Sequence, residues 1–126
     1  MNSAEKDFTE PFREAVDRWL ALVDAGRYAG SWDAAAAFFQ ASVGKSAWMT
    51  SIHAARAPLG AVSSRVLKSA RLAYSLPGAP DGVYFVVQYD SAFAHAAKAT
   101  ETITLMKAQD DAWNVAGYFV DRGPAG

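Results

Sequence analysis

Two arginines, Arg56 and Arg65, bracket the turn at 58–60 and are the side chains best suited to specific polar work in this chain. A pair of guanidinium groups can grip a carboxylate or a phosphate bidentately. The plainer fate of each is to tie the turn to a carboxylate such as Asp90 or Glu101, or to backbone carbonyls. Glu101 stands between Thr100 and Thr102 in a strand-like run. Turned inward, it would lose water, its pKa would rise, and it would serve as an acid or base. Turned outward, it is a solvated strand end or the partner of Arg65. Asp90 follows the most apolar run in the chain and has the same two fates.

Tyr74, Tyr84, Tyr89 and Tyr118 bring hydroxyls to strand-like runs. Ketosteroid-isomerase-like chemistry needs an aspartate base facing a tyrosine in one apolar cavity. Asp90 with Tyr118 or Tyr89 is the pairing that can imitate it, although strand tyrosines are mostly amphipathic core or edge residues. Arg56, Arg65, Glu101, Asp90, Tyr89 and Tyr118 are therefore the ligand-binding candidates, and no catalytic set stands out. The chain has no cysteine and two histidines, His53 and His95. Disulfides, thiol catalysis and thiolate metal sites are excluded, and no metal or cofactor site is expected. Ser31, Ser46, Ser63 and Ser64 read as caps and turn residues, and none lies in a Gly-x-Ser-x-Gly string.

These side chains must be positioned by helices followed by strands. Thr9 reads as a helix cap with Glu10 and Pro11 in the first turn. Phe12, Ala15, Val16, Trp19, Leu20 and Val23 then recur at helical spacing up to Gly26, a natural stop. Ser31 is expected to cap an alanine-rich helix over 32–43, and Ser46 a third helix over 47–57 that Pro58 ends. From Ser64 the period becomes two. Strands are expected at 65–76, 83–90, 100–108 and 113–120. The second is apolar enough to be covered on both faces, and 91–97 leaves room for a bulge. Trp19, Trp32, Trp48 and Trp113 read as core, and Gly117 marks a bend.

With 126 residues the chain is expected to be a single domain with an ordered core over about 8–121, burying roughly two-thirds of its unfolded surface. The formal charge of −1, with twelve Lys and Arg spread singly, argues against nucleic acid as a partner. The longest apolar stretches, 19–23 and 32–39, fall far short of the ~20 residues of a transmembrane helix. Met1-Asn2-Ser3-Ala4 reads as an arbitrary start, so a trimmed export signal is expected; a chain complete as it stands would be cytoplasmic.

The ordered series Trp32, Trp48, Arg56-Ala57-Pro58-Leu59-Gly60 and Ser64-Arg65 resembles the bacterial domain-of-unknown-function 4019 family. So do Leu76-Pro77-Gly78-Ala79-Pro80-Asp81-Gly82-Val83-Tyr84, Tyr89, Phe93, Glu101-Thr102 and Trp113-Asn114-Val115-Ala116-Gly117-Tyr118. The likeness runs from about Ala15 to Val120, with one departure: Asp111 stands where glycine is expected. It implies a small periplasmic or secreted bacterial protein and a cystatin-like superfold, shared with nuclear transport factor 2 and ketosteroid isomerase. It brings no catalytic assignment.

The resulting expectation is an α+β fold, with three N-terminal helices packed on a curved four-stranded antiparallel sheet to form a cystatin-like cone. The expected role is a non-enzymatic module that binds a small ligand or a partner protein. The alternatives are a cone-pocket isomerase, hydrolase or dehydratase using Asp90 or Glu101 with a tyrosine, and a structural homodimer paired through the sheet.

Overall fold

A computed structural model describes the backbone of residues 3–122 and the side chains of residues 12–122. Helices α1 (Ser3–Asp24), α2 (Tyr28–Asp33), α3 (Ala37–Ser42) and α4 (Lys45–Arg56) lead through a 3-10 turn (Ala57–Leu59) into four strands. The strands β1 (Val62–Ala73), β2 (Tyr84–Phe93), β3 (Ala96–Lys107) and β4 (Trp113–Asp121) form one antiparallel sheet in the order β1-β2-β3-β4. Each strand pairs with its sequence neighbour, so the α+β order expected from the sequence is the order observed.

Helix α1 begins at Ser3, ahead of the Thr9 expected to cap it, so Pro11 lies inside the helix rather than in its first turn. The composition of 121–126 predicts a frayed end, but Asp121 is the last residue of β4, and 123–126 lie outside the described residues. Phe12, Val16, Trp19, Leu20 and Val23 form the buried stripe of α1. Gly26, at φ +76°, ends it in a left-handed cap. Its N–H bonds to Val23 O and that of Arg27 to Leu22 O, the paired closure that satisfies the last carbonyls of a helix.

The single helix expected over 32–43 is two short ones. Ala36 is extended (φ −60°, ψ 147°) and donates its N–H to Val115 O on β4 at 2.7 Å. This bond to the sheet edge outweighs the helix preference of the alanine run. Ser31 caps nothing: it is buried in α2, where its Oγ donates to Tyr28 O and accepts from Trp48 Nε1. Trp19 Nε1 donates to Ser31 O, so two indoles meet at one serine. Ser46 likewise lies within α4, whose N-cap is Gly44.

The helices pack against β3 and β4, on one face of the sheet. Phe85, Val87 and Tyr89 of β2, Ile103 and Leu105 of β3, and Val115 and Tyr118 of β4 meet the α1 stripe there. Phe12 stacks on Phe85 at 4.9 Å, Trp19 lies 5.4 Å from Tyr118, and Phe39 meets Trp48 edge-on at 5.0 Å. Among the described residues the opposite face carries no helix, so β2 is not covered on both faces as its apolar sequence suggested, and Asp90 is exposed there. A register shift between Ser91 and Phe93 supplies the bulge expected after β2. Another places Ala116 out of register beside Gly117, where a bend was expected.

Gly60 joins the 3-10 turn to β1 at φ +77°, and a Cβ there would lie 2.8 Å from the His95 ring and 3.0 Å from Ala94 Cβ. The backbone on both sides is fixed, since His95 N–H bonds to Leu59 O and Ala94 N–H to Ala61 O. Gly60→Ala is expected to cost about 1–3 kcal/mol through backbone strain and this contact. Urea unfolding measures it; an unchanged midpoint would show that the turn is free to move.

Candidate functional site

Glu101 lies in the middle of β3, on the face that meets the helices, and is fully buried. A carboxylate without water must find its hydrogen bonds in the protein. Arg65 reaches over from β1, its Nε 2.5 Å from Glu101 Oε1 and its Nη2 3.1 Å from Oε2. Ser91 Oγ donates to Oε1 at 2.6 Å, and the Tyr118 hydroxyl donates to Oε2 at 2.5 Å. All four donors come from strands: Arg65 pairs in register with Ser91, and Tyr118 sits on β4, across from β3.

The same guanidinium continues to α1. Arg65 Nη1 and Nη2 bond to Asp24 Oδ2 and Oδ1 at 2.9 and 3.0 Å. Arg56, buried at the end of α4, donates Nη2 to Asp24 Oδ1 at 2.8 Å and holds Nη1 4.0 Å from Glu101 Oε2. Its guanidinium lies over the Phe93 ring at 4.8 Å, a cation–π contact that helps an arginine with unpaired buried nitrogens. Two carboxylates thus face two arginines, and the cluster carries no net charge.

The electrostatics follow this geometry. Burial alone would raise the Asp24 pKa, but the hydrogen bonds and charges of Arg65 and Arg56 overcome it and hold the carboxyl below its ordinary 3.8. Burial also opposes the charge on Arg65, yet its bonds to Asp24 and Glu101 raise its pKa above the ordinary arginine value. Tyr118 is pushed up by burial, by the adjacent Glu101 charge and by the bond it donates to that charge. Its hydroxyl is therefore a fixed donor at neutral pH.

Of the six candidate residues, the structure brings together Arg56, Arg65, Glu101 and Tyr118. Asp90 and Tyr89 stand apart from them. Asp90 is on the exposed face of β2, in register with Val66 and Thr100, because strand neighbours alternate between faces. It cannot share a cavity with Tyr118 or Tyr89, which face the helices, and it is not the partner of either arginine. Tyr89 lies across from Glu101 in register, and burial followed by the Asp17 charge raises its pKa. It lines an open cleft of about 500 Å³ with Arg13, Glu14, Asp17, Arg65 and Leu67. Asp24 and Ser91 are members the sequence reading missed. The available signal for Asp24 was an acid at the end of a strongly amphipathic helix, just before its glycine stop. His53 packs edge-on against Tyr28 at 6.1 Å, and no cluster of metal-binding side chains occurs among the described residues.

All six network residues, from Asp24 to Tyr118, lie within residues 15–118, the span matched by the family described as protein of unknown function (DUF4019). The chain belongs to the DUF4019 family. No curated protein and no solved structure matches it significantly. Asp111, which stands where the sequence resemblance predicts glycine, has φ +65°. That is the left-handed region glycine enters without strain and aspartate tolerates. The hairpin closes around it through Ala108 N–H to Ala112 O and Asp111 N–H to Ala108 O.

Glu101→Gln is expected to cost about 3–5 kcal/mol, because it leaves the paired arginines with uncompensated buried charge. Chemical denaturation measures it, and a loss below about 1 kcal/mol would show that water replaces the pairing. Asp24 contributes stability that is complete above its unfolded pKa and is lost as the pH falls through its lower folded value. Unfolding free energies from about pH 6 down to about pH 3 should therefore fall less steeply in Asp24→Asn than in the wild type. Parallel curves would remove Asp24 from the acid response.

Proposed function

We propose that the protein is an exported, non-enzymatic bacterial module, built as a single domain on a cystatin-like plan, that engages a partner protein through the β1 side of its sheet. One observation carries this reading. The helix-facing interior is filled by aromatic side chains and a neutralised ion network, while exposed large apolar residues gather on and beside β1. Val66 is 63% exposed, Leu67 36% and Tyr74 65%, whereas the helices pack on β3 and β4. Val66 and Leu67 face opposite sides of this edge strand, so the exposed apolar side chains line the edge rather than form one patch, and an exposed edge strand invites pairing. The order of helices before a four-stranded meander supports the superfold, and the family resemblance supports export.

The enzyme alternative needs a free acid or base. Glu101 accepts two bonds on each oxygen from Arg65, Ser91 and Tyr118, which leaves it no role in proton transfer. A small-ligand site would use the open cleft beside Arg65 and Tyr89. A second copy would use the outer sheet face, where Phe119 is 60% exposed.

A Val66→Glu/Tyr74→Glu double variant tests the reading. The expected result is a protein partner that is captured by the wild type, rebinds it after purification, and is lost by the double variant at unchanged melting temperature. Turnover by the wild type in isomerase, hydrolase and dehydratase assays, abolished in a folded Tyr118→Phe variant, would overturn it. So would a dimer in sedimentation that Phe119→Glu dissolves.

A further inference from the structure

The two edges of the sheet are not alike. At β4 the outer edge is met by the chain between α2 and α3, through Ala36 N–H to Val115 O. At β1, the other end of the sheet, eight of twelve residues are exposed. An edge strand presents a row of unpaired backbone donors and acceptors to any strand that can lie beside it.

The charge on β1 selects among possible occupants. The strand contains Arg65, Lys68 and Arg71 and no acidic residue. Arg65 is spent on Asp24 and Glu101. Lys68 and Arg71 are exposed, and neither forms an ion pair among the described residues. A second copy pairing β1 with β1 would set these cations against their equivalents, and like charges on facing strands repel. The edge is thus guarded against its own kind and open to an acidic strand. Lys68 lies at a register shift between Leu67 and Ser69, which bends the strand there and leaves 64–67 and 69–73 as its two regular stretches.

The helix-facing side adds a receptacle. Leu67 shares the cleft of about 500 Å³ with Tyr89 and four charged side chains of both signs, Arg13, Glu14, Asp17 and Arg65. A strand laid along β1 has alternate side chains on each face, so one of them would enter this cleft at the level of Leu67.

We propose that β1 accepts an acidic, extended segment of a partner protein as a fifth strand, with one of its side chains reaching the cleft beside Leu67 and Tyr89. The proposal rests on the reading of the protein as a binding module and names its partner's chemistry. Backbone hydrogen bonds supply affinity that depends little on sequence, and Lys68 and Arg71 supply the preference for acid.

The test uses the full chain and capped peptides of about eight residues with alternating Glu and Val, a length that spans a typical strand. Fluorescence anisotropy and hydrogen exchange are the readouts. Binding should slow exchange at the amides of 62–73 and weaken about tenfold or more when central peptide nitrogens are methylated, since methylation removes backbone donors. It should also weaken at least about fivefold in Lys68→Glu/Arg71→Glu and with added salt, while a Lys–Val peptide should not bind. Binding unaffected by methylation, equal binding of the Lys–Val peptide, or no binding at about 1 mM overturns strand addition. If no peptide binds but the purified partner is still lost by Val66→Glu/Tyr74→Glu, strand addition fails and the binding-module reading survives. If both fail, so does the module reading.

Discussion

The architecture depends on burying one carboxylate. Glu101 has no access to water, and the effective cost of moving such an ion into a protein is several kcal/mol. The fold meets that cost with a fork from Arg65 and hydroxyls from Ser91 and Tyr118, drawn from each of the other three strands. Strand register is what makes this possible: Arg65 lies across from Ser91, and Glu101 lies two residues along from Ala99, the partner of Ser91, so all three share a face. A one-residue slip would turn the whole set to the other face.

The network also joins the two layers. Asp24, at the end of α1, receives Arg65 from β1 and Arg56 from α4, so three elements distant in sequence meet at one carboxyl. Beside it, the aromatic contacts of Trp19 with Trp48 and Tyr118 close the rest of the interior. Removing one partner of such a set costs more than the set adds over an apolar core, so its benefit lies in specifying one arrangement. For β1 the link matters most, because the helices pack on the other side of the sheet and Arg65 is its polar tie to α1.

This division explains why function is sought at the surface. Asp24, Arg65, Glu101 and Tyr118 are engaged with one another, and Arg56 joins them through Asp24. What stands open is the outer edge of β1, where Lys68 and Arg71 form no ion pair among the described residues and Val66 is exposed. At β4, by contrast, the chain's own Ala36 meets the edge at Val115.

Much of this was legible in the residues. The amphipathic stripe of α1, its glycine stop and four antiparallel strands follow from periodicity, and Glu101 was one of two acids open as a partner of Arg65. The family follows from ordered strings such as Trp113 to Tyr118. Asp24 was not legible as a partner, because its arginines lie far along the chain and only packing brings them near. The break in the helix expected over 32–43 was hidden for the same reason, since it depends on a bond to Val115. Asp90 and Glu101 looked equivalent in sequence, each an acid in or beside an apolar strand. Their fates were set by which sheet face the helices cover. Local periodicity therefore determined the elements and their order. Only tertiary structure decided which acid is buried, which serine meets the indoles and which edge is left open, because burial and long-range pairing are properties of how the layers meet.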